Sequence, residues 1–192
     1  MRKILVLSAC LLIASDASAQ NANAIKQAAT ACGDSSVNFH VKKHHTYGAV
    51  PPVPKGEARI YVFEAIDGIV TNNGAAEPLD FNENGPPYYK ATIRVGMDGQ
   101  WIGADKGNSY LFFSAEPGEH HLCANWQSGW VGLNHLIQLA GISVQADQTY
   151  YFLAIPIEDS LGLGLLNLRP LDSDEAQLML VEYPLAVATA HK

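Results

Sequence analysis

Hydrophobic and polar positions alternate along most of this chain with a period of two, and Gly, Pro, Asn and Asp interrupt the alternation every few residues. That pattern predicts short β-strands with tight turns, because successive side chains of a strand point to opposite faces. Val37, Phe39 and Val41 alternate with Asn38, His40 and Lys42. Residues 58–65 (ARIYVFEA) place Ile60 and Val62 on one side and Tyr61 and Phe63 on the other, a strand buried on both faces. From Lys90 to Trp126 the pattern resolves into four strands: 89–95, 100–104, 109–115 and 120–126. Their turns are Asp98-Gly99, Lys106-Gly107-Asn108 and Glu116-Pro117-Gly118-Glu119. On the last strand Leu122, Ala124 and Trp126 share the core face with His120. His121, Cys123 and Asn125 share the other face, which places Cys123 on the outside of the sheet.

Further strands are expected at 136–144, with a bulge at Ala140-Gly141, at 149–155 after an Asp147-Gln148 turn, and at 165–169, ended by Pro170. Residues 127–135 and 156–164 read as loops. Asp172-Ser173-Asp174-Glu175 is a cap-like acidic start for a short helix over 176–181. The fold class expected is all-β: an antiparallel β-sandwich of about 7 to 9 strands with a short C-terminal helix.

The organisation follows from the breaks. Arg2 and Lys3, an apolar run over 4–14 and Ala17-Ser18-Ala19 have the form of a secretory signal peptide over 1–19, cleaved after Ala19. The run is shorter than the roughly 20 apolar residues that span a bilayer, and no later stretch reaches that length. Residues 20–56 form an N-terminal arm and a linker rich in Pro, with Pro51, Pro52 and Pro54. The sandwich is expected over 57–183, with a small apolar tail over 184–192. Asp67 to Pro87, dense in Asn, Gly and Pro, is a long insert without a strand pattern of its own. A rival reading of the start is a lipobox, Leu7-Ser8-Ala9-Cys10, which would make the protein an envelope lipoprotein anchored through Cys10.

Charge and cysteine content narrow the partners. Loss of Arg2, Lys3 and Asp16 with the signal peptide takes the net charge from −7 to −8. That balance disfavours nucleic acid and anionic membrane surfaces. The expected compartment is the bacterial periplasm or the exterior, where Cys32 and Cys123 have one possible pairing as a disulfide.

Candidate chemistry is sparse. Ser109, Ser128 and Ser160 lack an elbow motif. Glu116 and Glu119 flank a turn. His120 and His121 point to opposite faces and do not readily bind one ion. His121 and Cys123 share a face, and His40, His44 and His45 could approach on the arm. A metal-dependent or hydrolytic enzyme using His121 is therefore the alternative, and no metal or cofactor is expected. Trp101, Trp130 and Tyr110 are the candidate binding aromatics for a protein or glycan of the envelope. Trp101 and Trp126 are more simply explained by the core; Trp130, between Gly129 and Gly132, is the one a core explains least.

Several segments together resemble an uncharacterised family of bacterial envelope domains, found in secreted proteins and lipoproteins and known only as a domain of unknown function. They are Ala58-Arg59-Ile60-Tyr61-Val62, Val95-Gly96-Met97-Asp98-Gly99, Lys106-Gly107-Asn108-Ser109-Tyr110, Glu116-Pro117-Gly118-Glu119-His120, Thr149-Tyr150-Tyr151-Phe152 and the stretch 168–180. The resemblance covers roughly Glu57 to Val181. It implies a transthyretin-like or carboxypeptidase-regulatory-like sandwich and no catalytic residues. The insert at 67–87 and the arm with Cys32 depart from it. The function expected is a non-enzymatic binding or scaffolding module.

Overall fold

In a computed structural model, residues 32–45, 50–65, 92–127, 137–158 and 164–191 are described. They form two sheets. β1 (Asn38–His44), β2 (Ala58–Glu64), β5 (Ser109–Ala115), β8 (Thr149–Glu158), β9 (Gly164–Pro170) and β10 (Leu185–His191) make a six-stranded sheet in the order β1-β10-β5-β2-β8-β9. β3 (Thr92–Met97), β4 (Gln100–Lys106), β6 (Gly118–Trp126) and β7 (Ile137–Val144) make a four-stranded sheet in the order β4-β3-β6-β7. A helix, α1 (Ser173–Glu182), begins after Asp172, whose side chain accepts from the Asp174 N–H. This is the all-β sandwich with a C-terminal helix that the alternation predicts.

The alternation of β2 explains its central place. Ala58, Ile60 and Val62 point between the sheets, where they meet Ile93, Val95, Leu111, Leu122 and Ala124. Tyr61 and Phe63 point the other way and pack with Tyr110, Leu153 and the α1 residues Ala176 and Met179. Both faces of the strand are thus covered, one by the second sheet and one by the helix.

Two turns reach the left-handed region as their residues require. Asp98 and Gly99 have φ of 50° and 81°, and Gly107 and Asn108 have φ of 45° and 44°. The bulge expected at Ala140-Gly141 is not there: β6 and β7 pair without interruption from Gly118↔Val144 to Asn125↔Ile137. The register shifts instead between Val95 and Gly96, where β3 meets β4. Gly96 sits there because a side chain would collide with the Cys32 carbonyl and the Trp101 ring.

The first and last described strands pair with each other. Residues 185–191, read above as a tail, form β10. It pairs along its whole length with β1 of the N-terminal arm, from Asn38↔His191 to His44↔Leu185. β8 runs on to Glu158, three residues past its expected end. The signal peptide, Cys10, the Asp67–Pro87 insert and Trp130 lie outside the described residues. Among the described residues no helix is long and apolar enough to cross a membrane.

Cys32 and Cys123 are joined as a disulfide, with Cα atoms 5.4 Å apart and a sequence separation of 91. Cys123 does point away from the sandwich core. It is nevertheless fully buried, because the arm lies on it. Closing a loop of that length removes chain entropy from the unfolded state, worth about 4 to 5 kcal/mol. The double variant C32A/C123A should therefore lose on the order of 4 kcal/mol in urea unfolding under non-reducing conditions. An unchanged midpoint would show that the arm is held without the bridge.

Candidate functional site

The outer face of the four-stranded sheet is organised by Arg94. Alternation along β3 puts Ile93 and Val95 in the core and Arg94 on the far side, beneath the arm. Its Nε donates to Asn125 Oδ1 at 3.0 Å, and its Nη2 donates to the same oxygen. Its Nη1 donates to the carbonyls of Val37 at 2.6 Å and Ser35 at 3.3 Å. The guanidinium lies 4.5 Å from the centroid of the Trp101 ring, within cation–π range. Burial lowers the Arg94 pKa from its ordinary value. The Trp101 Nε1 donates to the Asp34 carbonyl at 2.8 Å. This indole therefore clamps the arm and is not in the sandwich core, which corrects the simpler expectation for it. Tyr110 is buried under α1 on the outer face of the other sheet. Trp101 and Tyr110 thus stand on opposite sides of the molecule and form no common platform.

The histidine pair sits at the end of the sandwich that carries the tight turns. His120 Nδ1 donates to Asp98 Oδ2 at 2.6 Å, and its Nε2 donates to the Glu116 carbonyl at 2.8 Å. Both partners are pure acceptors, so only the imidazolium satisfies both. The bond to Asp98 raises the His120 pKa, burial opposes it, and the Glu116 carbonyl adds to the rise. For Asp98, burial pushes the value up, but the bonds from His120 and the His121 N–H overcome it and hold the carboxylate down. His120 thus ties the β3–β4 turn to the turn that opens β6, with neither ring nitrogen left for a metal or a substrate. His121 is exposed, 4.0 Å from Asp98. Among the described residues no three His, Cys, Asp or Glu side chains are grouped to hold a metal ion.

The opposite end holds a pair that the sequence reading missed. Glu64, the last residue of β2, and Asp105, near the end of β4, both point between the sheets and are 0% and 1% exposed. Neither carboxyl makes a hydrogen bond of normal geometry among the described residues. Burial raises Glu64 to about 8, opposed in part by the Gly107 N–H, Lys43 and Lys106. Burial also raises Asp105 well above its ordinary value, and the neighbouring Glu64 charge raises it further. The Ser109 hydroxyl and the Leu111 N–H oppose this. Two carboxyls so placed cannot both ionise at neutral pH, so the pair retains a proton. A signal for it was present. Glu64 falls on the Ile60/Val62 face of an otherwise apolar strand, where an unpaired acid does not belong.

The strand directions bring the longer connections to this same end. The chain leaves the described residues after His45, Ala65, Gln127 and Glu158, and re-enters at Val50, Thr92, Ile137 and Gly164. For the last three connections both flanking strand ends lie at the Glu64–Asp105 end, as the pairings Glu64↔Ser109, Thr92↔Lys106, Asn125↔Ile137 and Glu158↔Gly164 require. A separate open cleft of about 450 Å³ lies toward the turn end, between Gly141 and Ile142 of β7 and Tyr150 and Phe152 of β8.

No family model, no curated protein and no solved structure matches the chain.

Two titrations follow. His120 should titrate above the ordinary histidine value by NMR, and Asp98→Asn should bring it down. Its folded pKa is raised, so its contribution to stability is complete below about 6.5 and is lost as pH rises through the folded value. An unshifted His120 would mean that the Asp98 contact does not hold in solution. Glu64 acts in the same direction at lower pH. Its folded form keeps a proton that the unfolded chain releases, so stability falls as pH rises from the ordinary carboxyl value of 4.5 to about 8. Glu64→Gln removes Glu64's share of that dependence and leaves the share due to the burial of Asp105. Relative to the parent, the variant should gain stability between acidic and alkaline pH, on the order of a few kcal/mol in thermal or urea unfolding.

Proposed function

We propose that this protein is a non-enzymatic binding or scaffolding module, secreted to the bacterial periplasm or envelope, that meets its partner through the Glu64–Asp105 end of the sandwich. The observation that carries the reading is the contrast between the two ends. One is closed by tight turns and stapled by His120. At the other, the described strands end and resume three times beside a buried carboxyl pair. Recognition in sandwich folds is commonly placed on loops held by a rigid scaffold, and two acids buried against each other are the kind of local cost that marks a functional region. The partner class in view is a protein or glycan of the envelope. The disulfide suits an oxidising compartment, and the resemblance over Glu57 to Val181 points the same way.

The test compares the ends directly. A photo-crosslinking side chain is placed at Lys106, exposed beside the carboxyl pair, or at Glu119, exposed at the turn end. Irradiation in the native envelope should give discrete adducts from position 106, competed by excess unmodified protein, and none from position 119. Adducts from 119 alone, or from neither position, would refute the assignment.

A further inference from the structure

A sandwich of two open sheets has four edge strands, and an unguarded edge is a template for another strand. Three edges here are guarded. β1 carries Lys42, Lys43, His40 and His44. β9 ends in Arg169 and Pro170, and a proline cannot donate to a ladder. β4 ends in Asp105 and Lys106 and lies against β10 and β1.

β7 packs against β9 of the facing sheet but carries no charged or proline guard of its own. Its sequence, IQLAGISV, contains no charge and no proline over eight residues. It pairs with β6 on one side, and among the described residues no strand pairs with the other. Gly141 and Ser143 are exposed, and a side chain built on Gly141 meets nothing within 4 Å. The cleft beside residues 140–143 keeps this stretch of backbone reachable.

We propose that the β7 edge pairs with the β7 edge of a second copy of this chain, antiparallel and two-fold symmetric, so that two four-stranded sheets join into one of eight. The occupant is argued from charge. In a two-fold antiparallel pair the residue on the axis faces its own copy and its neighbours lie close to theirs, so a charged residue near the two-fold would face or flank its like. An uncharged strand with Ala140-Gly141 at its middle avoids that repulsion, although the protein as a whole carries a net charge of −7. β1, with two lysines, could not self-pair in this way.

The open space at Gly141 supplies the test. Gly141→Lys and Gly141→Glu should each leave the fold intact, read by circular dichroism and by an unchanged melting temperature. Sedimentation velocity of the full oxidised protein should show a concentration-dependent dimer for the parent and a monomer for each variant. An equimolar mixture of the two variants should restore the dimer, because lysine then faces glutamate across the two-fold. A parent that stays monomeric up to millimolar concentration overturns the proposal, leaving the edge to another protein's strand or to none. So does dimerisation that both variants retain. Should the charged variants be poorly folded, Gly141→Cys serves instead. Mild oxidation should trap a covalent dimer through position 141, and failure to form one counts against the pairing.

Discussion

The arm from Cys32 to Val37, held against the four-stranded sheet, is the contact on which the rest of the structure depends. Two interactions fix it: the bridge to Cys123 and the Arg94 guanidinium, which reaches Asn125 in the sheet and two carbonyls in the arm. They are complementary. The bridge limits the unfolded chain, whereas Arg94 satisfies backbone oxygens that a covered arm would otherwise leave bare. Removing the arm would expose Cys123, Asn125 and Arg94 together, and a buried cation would lose its acceptors.

The arm also settles where β1 goes. Pinned at Cys32 on the outer face of one sheet, the chain crosses to the other within a few residues, where β1 pairs with β10. The last strand of the chain is thereby joined to the first, and β10 reaches β5 by one bridge at Leu185↔Tyr110. Gly96 belongs to the same constraint. It lies directly beneath the Cys32 carbonyl, at the residue where the β3–β4 register shifts.

Alternation alone identified most strands of the two sheets, because each carries a clean apolar face or is apolar on both. It did not place the ends. Residues 185–191 (LAVATAH) are too small and too weakly patterned to announce a strand, and their pairing depends on β1, which lies more than 140 residues earlier in the chain. The cysteine count gave the bridge its only partner, but not the burial of Cys123, since a covered outer face needs the arm to be placed first. Ala140-Gly141 suggested a bulge by composition. β7 tolerates the glycine in regular register because the space beside it is open. The carboxyl pair was legible in half: the period of β2 assigns Glu64 to the core face, but nothing in the sequence near Asp105 reveals that β4 faces it from the other sheet.

The placement of that pair fits the division of labour between the two ends. At the turn end the polar groups that hold the turns are paired: Asp98 with His120 and the His121 N–H, and His120 with the Glu116 carbonyl. At the other end two acids are buried facing each other, and the opposing groups are two amides, a hydroxyl and two lysines. Apolar residues at 64 and 105 would extend the cluster formed by Ile60, Val62, Ile93 and Leu111 and would be the more stable choice. Stability therefore does not account for these two residues. They stand where Ala65 and Thr92 open and close the longest connection, and a group that resists ionisation there couples the state of that end to its local environment. The stapled end and the disulfide hold the scaffold still while this end carries the cost.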